Sequence, residues 1–252
     1  MKYRGLSPVV QLVVWIGIAV GIGLVLAVSL PAAAGGLAAA IVDTPSKLPW
    51  FATRVTAFLS YLAIAGSVVY GLLLSTKILD AIAHRPVTYA LHQDLAAVGL
   101  GLAGIHGVLL GLDSTVPFSF AQMLIPFAAP YRPIWVGIGQ LAFYVTAAVI
   151  ASFYARRRIG QRAWRLLHYT TFLAFVGATA HGILSGTDTA TPWAFWIYVS
   201  ATVSVVFLTT YRVVLSVAAS RERRAVATRR EGGGVGVGVG EAISPLAYRR
   251  SA

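Results

Sequence analysis

The chain lacks cysteine altogether, and beyond Met1 its only methionine is Met123. The lack of cysteine excludes disulfides, iron–sulfur clusters, thiolate-ligated haem and cysteine zinc sites. It also removes the usual sequence indicator of the redox compartment. Histidines and carboxylates are therefore the residues to consider as metal ligands.

Charge is also scarce, and this decides the class of protein. Only 11% of the residues are charged and 58% are hydrophobic, whereas a soluble domain carries about 25% charged residues. A chain so poor in charge cannot cover itself with a hydrated surface. An ordinary soluble enzyme is therefore excluded, and so is disorder except in local segments.

Six apolar runs are each long enough to cross a bilayer as a helix, which takes about 20 residues. We predict spans at residues 9–30, 50–76, 89–112, 134–155, 163–186 and 191–217. The short alternating strands of a membrane barrel are absent from the sequence. The predicted fold is an all-α polytopic membrane protein, with a six-helix bundle over residues 1–217. A flexible, basic and glycine-rich cytoplasmic tail is predicted over residues 218–252.

The distribution of positive charge predicts the orientation. The net charge is +12, and only Lys47, Arg54 and Arg132 of the 20 basic residues fall outside the side that holds both termini. The positive-inside rule places that side in the cytoplasm, so we predict an integral protein of the plasma (inner) membrane in contact with lipids. The first run is too long for the core of a signal peptide, which favours an uncleaved helix. Basic residues lie in short clusters between apolar runs, so nucleic acid is not an expected partner.

Four of the five histidines lie inside predicted spans, and His84 lies in a short loop. The third span carries His92 and His106, and the fifth carries His168 and His181. Both spans run in the same predicted direction, so His92 and His168 should share one membrane depth and His106 and His181 another. Ionisable groups at membrane depth usually face the bundle interior and mark a function.

Imidazoles from two helices can provide both axial ligands of a haem iron, whereas zinc or copper would require more converging ligands. A single transmembrane histidine more often bonds to a neighbouring helix than binds a metal. Four histidines matched in depth on two helices are harder to explain in that way. We interpret His92 with His168 as ligands of an inner haem, and His106 with His181 as ligands of an outer haem.

The segments LHQDLAAVGLGLAGIH and LHYTTFLAFVGATAH resemble the haem-ligand helices of the ferric reductase-like transmembrane family, which includes ferric reductases and the membrane part of NADPH oxidases. The pattern in those proteins has 13 residues between the first two histidines and 12 between the second two, and this chain has the same spacings. The resemblance implies two b-type haems and electron transfer across the membrane.

Many members of that family continue into a domain that binds FAD and NADPH, and no such site is recognisable in this chain. We therefore expect an oxidoreductase subunit that conducts electrons from a separate cytoplasmic or membrane donor, such as a flavoprotein, to an acceptor on the outer side. Two alternatives stay open. One is a haem-binding membrane subunit of a periplasmic reductase system, and the other is a non-redox transporter or scaffold whose histidines serve protons or packing.

Four arginines are candidate partners of haem propionates. Arg162 and Arg165 flank the cytoplasmic histidine pair, although topology setting explains them equally well. Arg54 and Arg132 are the outer candidates, because topology does not require arginine on that side.

The two histidine spacings predict different helix geometry. The step from His92 to His106 falls about 40° short of four turns, so both side chains can share a face. The step from His168 to His181 falls about 140° short, so an ideal helix would point them apart. We therefore predict an over-wound or kinked segment between them, most simply at Gly177. Nearby threonines can also disturb the backbone ladder: Thr170, Thr171 and Thr179.

Overall fold

The structure is a computed structural model that describes residues 48–81, 84–112 and 118–234. All regular secondary structure in these ranges is helical. The elements are α1 (Leu48–Thr76), a 3₁₀ helix (Ile78–Ala81), α2 (Arg85–Leu110), α3 (Phe120–Leu124), α4 (Pro133–Ile159), α5 (Gln161–Tyr169), α6 (Thr171–Ser185) and α7 (Pro192–Gly234). The first predicted span and the end of the tail, from residue 235, lie outside the described residues.

Four of the described helices are long and apolar enough to cross a bilayer, namely α1, α2, α4 and α7. They correspond to the second, third, fourth and sixth predicted spans. The all-α prediction is confirmed for the described residues, and the length and composition of these four helices indicate a membrane protein. The fifth predicted span consists of two helices, α5 with 9 residues and α6 with 15. Each is shorter than the about 20 residues that a crossing requires.

Helix α7 extends beyond the predicted end of the sixth span at residue 217. It contains 43 residues, and residues 218–231 are rich in alanine, arginine and glutamate, which favour helix. The helical part of the predicted tail therefore reaches Gly234. Residues as far as Thr209 belong to one compact unit and those from Thr210 to a second, and the histidines all lie in the first.

Helix α2 exposes a row of large apolar side chains. Val87, Leu91, Val98, Ile105 and Val108 recur at helical spacing, and each is at least 39% exposed. A contiguous apolar face of this kind marks a surface that contacts something other than water. With the length of the helix, it indicates association with membrane lipids.

A buried aromatic cluster joins α1 to α6 and to the first half of α7. The Tyr61 ring stacks on Phe175 with centroids 6.1 Å apart, and it meets Tyr198 edge-on at 4.9 Å. The Tyr61 hydroxyl also lies 3.1 Å from Thr179 Oγ1. Because these contacts fall near the middle of α1 and α6, they fix which face α6 turns towards α1.

The predicted irregularity between His168 and His181 is present, but it lies at Thr170 instead of Gly177. Thr170 N–H donates to Leu167 O at 3.0 Å, a 3₁₀-type bond, and its hydroxyl donates to the same carbonyl. The Thr171 hydroxyl donates to His168 O at 2.8 Å. These hydroxyls compete for the carbonyls that would continue the helix. Helix α6 runs unbroken through Gly177, which lies against Ile138 and Ala142 of α4.

Candidate functional site

The four histidines inside the helices meet as two pairs. The ring centroids of His92 and His168 lie 6.0 Å apart, with an angle of 76° between the ring planes. The centroids of His106 and His181 lie 6.3 Å apart, with an angle of 72°. These are the partners predicted from depth along the helices. The fifth histidine, His84, is exposed at the start of α2.

The His106–His181 pair is held by backbone carbonyls of two other helices. His106 Nδ1 lies 2.9 Å from Thr53 O on α1, and His181 Nδ1 lies 3.0 Å from Trp135 O on α4. A carbonyl oxygen only accepts, so each Nδ1 carries the proton and donates. The Nε2 atom of each ring therefore keeps its lone pair, as a metal ligand requires.

The His92–His168 pair is held on one side by Ser67 of α1. His92 Nδ1 donates to Ser67 O at 2.8 Å, and it also lies 3.1 Å from Ser67 Oγ. The Ser67 hydroxyl donates to His92 O at 2.8 Å. On the opposite side, Trp164 stacks on the His168 ring with centroids 5.2 Å apart and an angle of 25°. In the sequence, the position of Trp164 near a helix end is explained by the preference of tryptophan for the membrane interface. Its contact with His168 could therefore be found only in the structure.

Glycines make room for two of the imidazoles. A Cβ atom on Gly139 of α4 would lie 2.5 Å from Cγ and 2.6 Å from Nδ1 of His181. A Cβ on Gly71 of α1 would lie 3.1 Å from Cε1 of His92. The first distance is too short for any side chain, so Gly139 is required where it stands.

Three helices carry the paired histidines: α2 carries His92 and His106, α5 carries His168, and α6 carries His181. Helix α2 packs along α1 and touches α4, whereas α5 and α6 pack on α4 and α6 also touches α1. Helices α2 and α6, both fully described, are not packed along each other. The paired imidazoles therefore come from helices that are not packed along each other.

The spacing of the rings matches axial ligation of a metal ion. With a metal–nitrogen bond of about 2.0–2.1 Å and a nitrogen about 1.1 Å from its ring centroid, two imidazoles on opposite sides of one ion have centroids about 6.2–6.4 Å apart. The observed separations of 6.0 and 6.3 Å agree with this to a few tenths of an ångström. Among the described residues, no three histidine or carboxylate side chains form a potential metal site. A two-nitrogen set suits haem, because the porphyrin supplies the remaining ligands.

Two of the four predicted arginines lie at the helix ends near the His106–His181 pair, and the other two lie near the His92–His168 pair. Arg54 follows Thr53 on α1, and Arg132 precedes α4 by one residue, three positions before Trp135. Arg162 and Arg165 are exposed on α5, within two turns of His168. Their predicted role towards propionates stays a prediction.

Asp188 is a residue that the sequence interpretation missed. It is 6% exposed in the connection between α6 and α7, and it forms an ion pair with Arg54. The Arg54 guanidinium also lies 4.0 Å above the Trp50 ring. Arg132 instead donates to Leu184 O. The partner of Arg54 within the described residues is therefore a protein carboxylate.

The chain matches no protein-family model, and it has no significant match to a curated protein or to a solved structure. The likeness to the ferric reductase-like family thus stays a prediction from histidine spacing.

Proposed function

We propose that the chain is a transmembrane dihaem electron conduit of the ferric reductase-like kind, built on a six-helix bundle. The observation that carries the proposal is the presence of two imidazole pairs with centroids 6.0 and 6.3 Å apart. Three of the four rings donate Nδ1–H to a backbone carbonyl. A single structural histidine would require one such bond, but it would not require a second imidazole at ligation distance.

The chain's own residues would hold each haem and set its surroundings. His92 and His168 would hold one haem, and His106 and His181 the other. The anchored Nδ1 atoms of His92, His106 and His181 keep these three rings in the tautomer that ligates through Nε2. Bound haem b would supply one-electron chemistry at iron. The two levels are 14 residues apart on α2, about 21 Å along the helix.

The proposed direction of transfer is from the cytoplasm outwards. In the first unit, the helix ends nearest His92 and His168 carry a group of basic residues: Lys77, Arg85, Arg156, Arg157, Arg158, Arg162 and Arg165. The opposite ends carry Arg54 and Arg132. The positive-inside rule then puts the His92–His168 level at the cytoplasmic side of the plasma membrane, with both termini in the cytoplasm. A basic face suits an acidic donor such as a flavoprotein, and the membrane potential favours outward electron movement.

The test is the optical spectrum of the purified full-length protein. We expect a reducible Soret and α-band corresponding to two haems per chain. His106→Ala and His181→Ala should each remove the same haem, whereas His92→Ala and His168→Ala should each remove the other. The matched control is His84→Ala, which replaces the exposed histidine and should keep both. A colourless protein would overturn the proposal and favour a non-redox role.

A further inference from the structure

Polar contacts between α1 and α2 recur at seven-residue intervals. Thr53 O accepts from His106 Nδ1 at 2.9 Å, Ser60 Oγ donates to Gly99 O at 2.7 Å, and Ser67 O accepts from His92 Nδ1 at 2.8 Å. Thr53, Ser60 and Ser67 are all buried. One antiparallel register therefore positions both histidines of α2 against α1.

The contacts made by Ser67 and by Thr53 differ in whether the side-chain hydroxyl takes part. Ser67 Oγ donates its proton to His92 O, so its oxygen is left to accept from Nδ1–H, 3.1 Å away. The Nδ1–H group of His92 is thus shared between two acceptors of Ser67, its carbonyl oxygen and its Oγ atom. At the other end, the buried Thr53 Oγ1 has no hydrogen-bond partner among the described residues. The Nδ1–H group of His106 therefore has one acceptor on α1, the Thr53 carbonyl.

Building on the proposed function, we propose that Ser67 is a positioning residue that lowers the reduction potential of the haem at the His92 level relative to the other. An additional acceptor on the far nitrogen makes an imidazole a stronger electron donor to its metal. A stronger axial donor stabilises ferric over ferrous iron, and such hydrogen bonding is one of the means by which a protein sets the potential. The difference would favour electron transfer from the cytoplasmic level to the outer one.

The experiment compares Ser67→Ala with Ser60→Ala in the full-length protein by potentiometric titration. Each variant removes a buried hydroxyl that donates to an α2 carbonyl, but only Ser67 contacts an imidazole. We expect Ser67→Ala to raise the potential of the lower-potential haem alone. The equilibrium constant for transfer between the haems should fall about threefold to tenfold, the range expected from one neutral hydrogen bond. A tenfold change corresponds to 59 mV for a one-electron couple.

Two further variants complete the test. Ser67→Thr keeps the hydroxyl and should restore the wild-type potential. Ser67→Cys has a side chain of similar size with a weaker donor and acceptor, so it should give an intermediate shift in potential. This shift can be measured even if the alanine variant fails to fold.

The outcomes separate this inference from the function on which it rests. If Ser67→Ala binds two haems per chain and its lower potential is unchanged, the proposed role of Ser67 is wrong. The proposed function as an electron conduit would not be affected. Equal shifts in Ser67→Ala and Ser60→Ala would lead to the same conclusions, because they would indicate an effect of helix packing. A wild-type protein without haem would overturn both.

Discussion

At the scale of single residues, the space for the His181 ring depends on the missing side chain of Gly139. We expect Gly139→Ala to displace the imidazole, because the added Cβ would lie 2.5 Å from Cγ of the ring. Overpacking of this kind costs about 1–3 kcal/mol. The haem at the His106–His181 level should be lost while the other is kept, as measured by haem content per chain and by thermal unfolding.

The matched control for that substitution is Gly101→Ala. Gly101 lies in α2, and a Cβ there would meet no atom within 4 Å. Because alanine is favoured over glycine in a helix by about 1 kcal/mol, this variant should keep both haems and unfold at the same or a higher temperature. Retention of both haems in Gly139→Ala would show that the His181 ring is not held as described.

The pairing of the four histidines could be predicted from the sequence, but their hydrogen-bond acceptors could not. Histidine is rare inside apolar helices, so four of them at matched depth stand out. The acceptors are backbone carbonyls of Ser67, Thr53 and Trp135, and a carbonyl leaves no mark in a sequence. One signal was present, since Thr53 and Ser67 are separated by the same 14 residues as His92 and His106.

At the scale of elements, the reversal between α4 and α5 depends on one residue. Gly160 is the single residue between the two helices, with φ +83° and ψ 151°. That region is essentially restricted to glycine, and occupying it with a side chain costs about 1–3 kcal/mol. We expect Gly160→Ala to lower the free energy of unfolding by that amount, as read from the thermal unfolding of detergent-solubilised protein.

Gly101→Ala serves again as the reference for an alanine in an ordinary helical position. If Gly160→Ala unfolded at the same temperature as wild type, the chain would have another way to turn there. A loss of haem without a loss of stability would instead indicate that α5 had shifted relative to His92.

Helix periodicity predicted that the fifth span must be irregular, but it could not predict where. The 13-residue step from His168 to His181 required extra winding, and both glycine and threonine can disturb a helix. Tertiary contacts decide between them. Gly177 packs against Ile138 and Ala142 of α4, whereas the hydroxyl of Thr170 is directed back to Leu167 O.

At the scale of the whole first unit, the Arg54–Asp188 ion pair joins the start of α1 to the connection between α6 and α7. Arg54→Gln would leave a buried carboxylate without its counter-ion. We expect a cost of about 2–4 kcal/mol, near the range for breaking a buried pair. Asp188→Asn should cost less, because the Arg54 side chain is 26% exposed and is stacked on Trp50.

A double-mutant cycle in thermal unfolding tests the pair. The Arg54→Gln/Asp188→Asn double variant should cost less than the sum of the single variants, since it leaves no unpaired charge. The control is Arg132→Gln, because Arg132 is exposed and donates to a backbone carbonyl instead of a carboxylate. Additive costs for Arg54 and Asp188 would contradict an energetic link between the two elements.

The separate support of α2 and α6 has a consequence for how folding depends on the ligand. Since those helices are not packed along each other, each proposed haem would bridge one helix pair to the other. Its binding free energy would then be part of the folding free energy. A ligand present at 100 times its dissociation constant adds about 2.7 kcal/mol to stability. Cells short of haem should therefore accumulate less of this protein, because the form without haem would be less stable and more readily degraded.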